Sequence, residues 1–155
     1  MHAGEVPAPA DVAGLLGITE GDPVVVRRQL VLLDNRPNEL ADTYYPTAIA
    51  RGTGLARTAK IPGGAVTLLA MNRRRIKGGT PALLTELGHP PRRSVDRVSA
   101  RIPTQEQYQA LHLTSNMPVL RTLRVLHSDR DVPVEVTVMV KAGHLYELQY
   151  EFGAE

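Results

Sequence analysis

Cysteine and tryptophan are absent from this 155-residue chain, and phenylalanine occurs once. Without cysteine there is no disulfide, no thiolate zinc site and no thiol nucleophile. Aromatic residues make up 4% of the sequence. That scarcity disfavours the nucleic-acid modules that stack bases on exposed rings. No stretch of 18 apolar residues occurs, so no membrane-spanning helix is expected. The Pro/Ala-rich residues 1–9 lack the basic and then apolar layout of a signal peptide, and a cytoplasmic location is the expectation. Heptads and periodic glycine are missing too, which excludes a fibre. What is present suits one globular domain: 43% hydrophobic and 22% charged residues, enough to bury a core. Residues 1–9 are expected to be flexible.

The net charge of +2 conceals an uneven distribution. Residues 1–50 carry 3 basic and 7 acidic side chains, residues 51–103 carry 11 and 2, and residues 104–155 carry 4 and 7. A basic middle between acidic ends fits nucleic acid, an anionic ligand, or a solvated surface complementary to an acidic face. The last is the plainest reading.

Hydrophobic periodicity orders the elements. Residues 9–17 read as a short helix started by Pro9 or Asp11 and ended by Gly17. Residues 24–33 form a long strand interrupted by Arg27, Arg28 and Gln29. A turn at Asp34, Asn35, Arg36 and Pro37 leads to a returning strand over 38–45. Residues 47–50 make one helical turn. Thr80 caps a helix with Pro81 in its first position and Gly88 past its end. Residues 92–102 alternate as a strand. Thr104 and Gln107 open a further helix, close to a capping box. Strands over 119–126 and 132–140 flank a turn at 128–131, and 146–152 reads as a final strand. Tight turns between strands predict an antiparallel sheet with helices on one face, an α+β domain. A local repeat at a period of 15 matches Ile61, Gly63 and Leu68 with Ile76, Gly78 and Leu83. It suggests a tandem duplication, with 60–75 as an insertion.

Few motifs carry chemistry. The five histidines are isolated and no metal site is expected. No nucleophile elbow, phosphate-binding loop or dinucleotide fingerprint occurs, so neither catalytic residues nor a cofactor are expected. Gly78, Gly79 and Thr80 precede a helix, where backbone N–H groups suit a carboxylate or phosphate, although an ordinary glycine-rich helix start is the plainer reading. On the strand over 132–140, Val134, Val136, Val138 and Val140 form a core stripe by period 2. Glu135, Thr137, Met139 and Lys141 fall on the opposite face, which is either solvent-exposed or a pocket wall. Solvent is the plainer reading.

Six stretches, taken in order, resemble the UTRA effector-binding domain of GntR-family bacterial transcription regulators, HutC subfamily. They are Leu16-Gly-Ile-Thr-Glu-Gly-Asp-Pro-Val-Val-Val-Arg-Arg, Leu40-Ala-Asp-Thr-Tyr-Tyr-Pro, Ile76-Lys-Gly-Gly-Thr-Pro-Ala-Leu-Leu-Thr-Glu-Leu-Gly-His, Val98-Ser-Ala-Arg-Ile-Pro-Thr-Gln-Glu, Leu111-His-Leu-Thr-Ser-Asn-Met-Pro-Val-Leu and Pro133-Val-Glu-Val-Thr. The resemblance runs from Leu16 to Phe152, about nine-tenths of the chain, and the second and third stretches are most similar to actinomycete members.

The resemblance implies a chorismate-lyase-like fold, a homodimer and a pocket for a small effector. It also implies that DNA contact belongs to a winged helix-turn-helix outside this chain, preceding Met1. Through it, the effector-binding residues are expected to be Gln29, Thr43, Tyr45, Gly79, Thr80, Glu135, Thr137 and Lys141. Relatives that bind sugar phosphates place arginines where this chain has Gln29 and Val31, and a glutamate where it has Ala41. Those departures count against a sugar phosphate, while the effector is still expected to be anionic. Two other functions are compatible with the fold: a lyase acting on an aromatic acid, and a dimerisation module with a degenerate pocket.

Overall fold

In the computed structural model, residues 2–56, 79–114 and 116–153 are described. Most of the 15-residue repeat and all of the 60–75 insertion lie outside them. The elements run β1 (His2–Pro7), α1 (Ala10–Leu16), β2 (Pro23–Leu33), β3 (Arg36–Pro46), α2 (Thr47–Ala50), α3 (Gly79–Glu86), β4 (Arg93–Arg101), α4 (Gln105–Ala110), β5 (Val119–His127) and β6 (Pro133–Ala142). The strands form one antiparallel sheet in the order β1-β2-β3-β6-β5-β4.

Local chemistry accounts for most boundaries. Gly17 ends α1 in the left-handed region at φ 70°, donating its N–H to Ala13 O, a conformation that costs glycine nothing. The β2–β3 hairpin turns through Asp34 and Asn35 alone, both at positive φ (49° and 60°). Two positive φ angles give the twist of a two-residue hairpin loop, so Pro37 lies in β3 and not in the turn. Thr104 and Gln107 complete a reciprocal capping box at the start of α4, as the sequence predicts.

Four expectations are corrected. First, residues 2–7 are not a flexible leader. They pair with β2 from His2↔Arg28 to Pro7↔Pro23 and form an edge strand; Pro7, with no N–H to donate, sits at its last position. Second, residues 146–152 form no strand. Third, helices cover both faces of the sheet. Val24, Val25, Val26 and Arg27 are buried in succession, and a strand buried on consecutive residues needs cover on both sides. Helices α1 and α4 lie on one face, over Val24, Val26, Tyr44 and Val136 and over Leu40 and Val140 respectively. Helices α2 and α3 lie on the other, where Ala50, Leu55 and Leu84 pack on Val25, Tyr45 and Val134. Fourth, Val134 leaves the stripe of Val136, Val138 and Val140. The register shifts between Leu126 and His127, which pair with Glu135 and Pro133. This bulge turns Val134 to the Tyr45 side, because an extra residue breaks the period-2 alternation.

Candidate functional site

The face under α2 and α3 carries an unusual polar row. Across the sheet, Arg27 pairs with Thr43, Thr43 with Thr137, Thr137 with Arg124, and Arg124 with Asp96. Five consecutive strands, β2-β3-β6-β5-β4, therefore present polar side chains in one line on one face. Tyr45 lies beside this row, under the apolar cover of Leu55 and Leu84, with Glu135 next to it.

The middle of the row is sealed. Tyr45 is 0% exposed, Thr137 8% and Glu135 9%. Thr137 Oγ1 lies 3.2 Å from Thr43 Oγ1 and 3.3 Å from Glu135 Oε1, both hydrogen-bonded. Glu135 Oε2 and Tyr45 Oη are buried and make no well-formed hydrogen bond among the described residues, although Tyr45 stands beside both Glu135 and Thr80. Burial raises the Glu135 carboxyl above its ordinary range, against the opposing pull of Tyr45, Thr137 and Arg124. Burial also raises the Tyr45 phenol, and the neighbouring Glu135 adds to the effect. Both groups are thus biased to the neutral form.

The row starts at Arg27 and closes on the Arg124–Asp96 pair. Arg27 is 8% exposed, and its Nη1 donates to Leu55 O at 2.8 Å and Gly54 O at 3.3 Å. Desolvation lowers its pKa. At the other end, Arg124 makes a bidentate pair with Asp96 at 2.8 and 2.7 Å. That pair raises the arginine and lowers the aspartate, through hydrogen bonding first.

Of the eight residues expected at the site, Thr43, Tyr45, Thr80, Glu135 and Thr137 come together. The solvent reading of Glu135 and Thr137 does not survive, since both are buried. Gly79 adjoins at the start of α3 with φ 78°, a left-handed value that suits glycine. The helix begins at Gly79, one residue before the expected cap, so Thr80 lies in the first turn. Gln29 is exposed, two residues along β2 from Arg27. Lys141 stands apart. It is four residues from Thr137, roughly 13 Å along the strand, and it pairs with Glu39 at 3.2 Å. Its Nζ also stands 4.6 Å over the Tyr146 ring.

Sequence reasoning passes over Arg27, Arg124 and Asp96. Period 2 places Arg27 on the Gln29 face, a signal available in advance. Nothing in the linear sequence aligns Arg124 with Thr137; only the pairing of β5 with β6 does. Among the described residues no three histidine, aspartate or glutamate side chains gather as a metal site. Two clefts lie elsewhere. One of about 240 Å³ is lined by Leu15, Arg93, Val95, Arg97, Val125 and His127. The other, of about 570 Å³, runs between Ile102, Tyr108 and Met117.

A six-stranded antiparallel sheet in this order, with helices on both faces, belongs to the chorismate-lyase-like class of α+β folds. Solved structures of similar shape include the effector domain of PhnF from Mycobacterium smegmatis (TM-score 0.73, 20% identity, 99% of this chain and 85% of that one). A GntR-family transcriptional regulator from Bacillus cereus is alike too (TM-score 0.72, 21% identity, 99% and 95% covered), as is the C-terminal domain of YurK from Bacillus subtilis (TM-score 0.71, 16% identity, 93% and 88% covered). In sequence, an uncharacterized HTH-type transcriptional regulator of Streptomyces coelicolor is 27% identical over 147 residues, 95% of this chain. The chain spans about half (50%) the length of that curated relative. The UTRA domain matches residues 1–147: the chain belongs to the UTRA domain family.

Proposed function

We propose that the chain is the effector-sensing and dimerising part of a GntR-type transcription regulator of the HutC kind, acting in the cytoplasm on DNA through a winged helix-turn-helix outside these residues. The similarity to HTH-type and GntR-family regulators supports the regulatory role. The observation that carries the sensing role is the pair of buried atoms Tyr45 Oη and Glu135 Oε2, which make no well-formed hydrogen bond among the described residues and stand beside the Thr43–Thr137 hydrogen bond. Burying polar groups without partners costs stability, and such groups are retained where a ligand completes them.

The effector that fits is a small molecule with one hydrogen-bonding group for Tyr45 and Glu135 and an anionic group drawn by Arg27 and Arg124. Thr80 and Leu84 cover Tyr45, so a ligand that reaches its hydroxyl displaces α3. That displacement is the differential contact by which binding shifts the dimer between DNA-competent and DNA-incompetent states. Gln29, Gly79 and Lys141 are proposed as outer contacts.

A thermal-shift screen of anionic metabolites tests the reading. At least one compound raises the melting temperature of the wild type, and its effect is lost in Glu135→Gln and Tyr45→Phe. A panel without any stabilising compound overturns the sensing role. No turnover of chorismate is expected; its conversion would establish an enzyme instead.

A further inference from the structure

Residues 146–152 read Tyr-Glu-Leu-Gln-Tyr-Glu-Phe, an alternation that specifies a half-buried strand. In the fold they have no strand partner among the described residues. Leu148, Tyr150 and Phe152 are exposed, Tyr150 at 69% and Phe152 at 86%. The rings of Tyr150 and Phe152 stack with centroids 6.5 Å apart, the spacing of i, i+2 neighbours on an extended chain. The segment is already strand-like, with one apolar face left uncovered among the described residues.

The sheet offers one edge that matches. Strand β4 ends the sheet, and its outer side has no partner among the described residues. Val98 on β4 and Ile102 just beyond it are exposed, Ile102 at 91%. Long, unpaired edges recruit further strands. The charges complement as well. The segment carries Glu147 and Glu151, four residues apart, and the edge carries Arg97 and Arg101, also four apart. None of these four has an oppositely charged partner among the described residues. Antiparallel pairing of Glu147 with Arg101 sets Gln149 against Ser99 and Glu151 against Arg97. The same register puts Tyr146, Leu148 and Tyr150 opposite Ile102, Ala100 and Val98. One register thus satisfies both ion pairs on one face and sets three of the four apolar residues against apolar partners on the other, with Phe152 falling opposite Asp96.

The segment does not reach its own β4. Tyr146 is held over the middle of the sheet by Asn38 of β3 and Lys141 of β6. From β3 to β4 is three strand spacings, roughly 14 Å. Crossing them would consume about half of the segment before pairing began. We infer that residues 147–152 of one subunit add as a seventh strand to the β4 edge of a second copy of this chain, and that the exchange is reciprocal. This rests on the dimer reading above and goes beyond it by assigning the surface.

Analytical ultracentrifugation of the 155-residue chain over a concentration series, at low salt, provides the test. The wild type sediments as a dimer. Glu147→Arg with Glu151→Arg turns four attractive cross-strand pairs per dimer repulsive and weakens association by about 100-fold. Arg97→Glu with Arg101→Glu does the same. All positions are exposed or lie in the unpaired segment, so circular dichroism and melting of the monomer are unchanged. Mixing the two double variants restores a heterodimer, because each reversed segment then meets a reversed edge; pairing within one chain would give no rescue. A wild-type monomer overturns the dimer reading itself. A dimer indifferent to both reversals, or one without rescue on mixing, overturns only the assigned surface.

Discussion

Replacing Tyr45 by phenylalanine will make the unliganded protein more stable and less responsive. The ring packs against Val25, Leu55, Leu84 and Val134, every one of them 0% exposed, and phenylalanine keeps that packing. What disappears is a hydroxyl sealed from solvent without a well-formed hydrogen bond among the described residues. A buried unsatisfied polar group costs about 1–3 kcal/mol. Only its contacts with Glu135 and Thr80, neither of them well formed, are lost when it goes, so the lower end applies: a gain of about 1 kcal/mol, or roughly 2–4 °C in melting temperature for a chain of this size. Urea unfolding reads it as a higher midpoint at unchanged slope. Any compound that stabilises the wild type through this hydroxyl will stabilise the variant less. A destabilisation of roughly 0.5 kcal/mol or more would refute the reasoning, since it would mean that the hydroxyl is bonded in the unliganded state, as buried polar groups ordinarily are.

Three further outcomes follow from the same geometry. Burial raises the Glu135 carboxyl above the ordinary carboxylate range, so the folded state holds its proton to higher pH than the unfolded chain. Stability from this group is therefore fully present below the ordinary carboxyl value and is lost as pH rises through the raised one; in Glu135→Gln that part of the pH dependence of urea unfolding vanishes. A Cβ at Gly143 would stand 2.8 Å from Pro118 O, the carbonyl that Gly143 N–H itself bonds at 2.9 Å. Gly143→Ala is expected to cost about 1–3 kcal/mol by forcing that loop apart, measured by chemical denaturation. Thr104→Ala removes the capping box of α4 and costs about 1 kcal/mol, while a serine in its place restores most of it.

The arrangement places two adjacent arginines in contrasting settings. Arg28 points to the α1/α4 face, where it makes a bidentate pair with Asp42 at 2.7 and 2.6 Å and also reaches Glu106 of α4. That cluster ties the helix to the sheet, and burial together with Asp42 pushes the Tyr44 phenol up to about 12. Arg27 points to the opposite face and holds the backbone of the 54–55 turn. One residue of pleat separates a structural ion pair from a candidate ligand-binding group.

How much could be read in advance depended on whether the determining force was local. The strands at 23–33, 36–46, 93–101, 119–127 and 133–142, the Gly17 stop and the Thr104 cap were legible, because pleat, helix period and capping act within a few residues. The resemblance also named the face of the sheet on which Thr43, Tyr45, Glu135 and Thr137 meet. Other features were decided only by tertiary structure. Strand β1 exists because β2 offers it six pairing positions, against its own Pro- and Gly-containing composition. The bulge that turns Val134 over is a register event between two strands, and the line from Arg27 through Thr137 to Arg124 depends on pairings among β2, β3, β6 and β5. Residues 146–152 show the converse: a sequence with the period of a strand forms one only when an edge is there to receive it. Local periodicity is set by bonds along the chain, whereas pairing, burial and unsatisfied polar groups are set by residues far apart in sequence, and for this protein the candidate site is made of the latter.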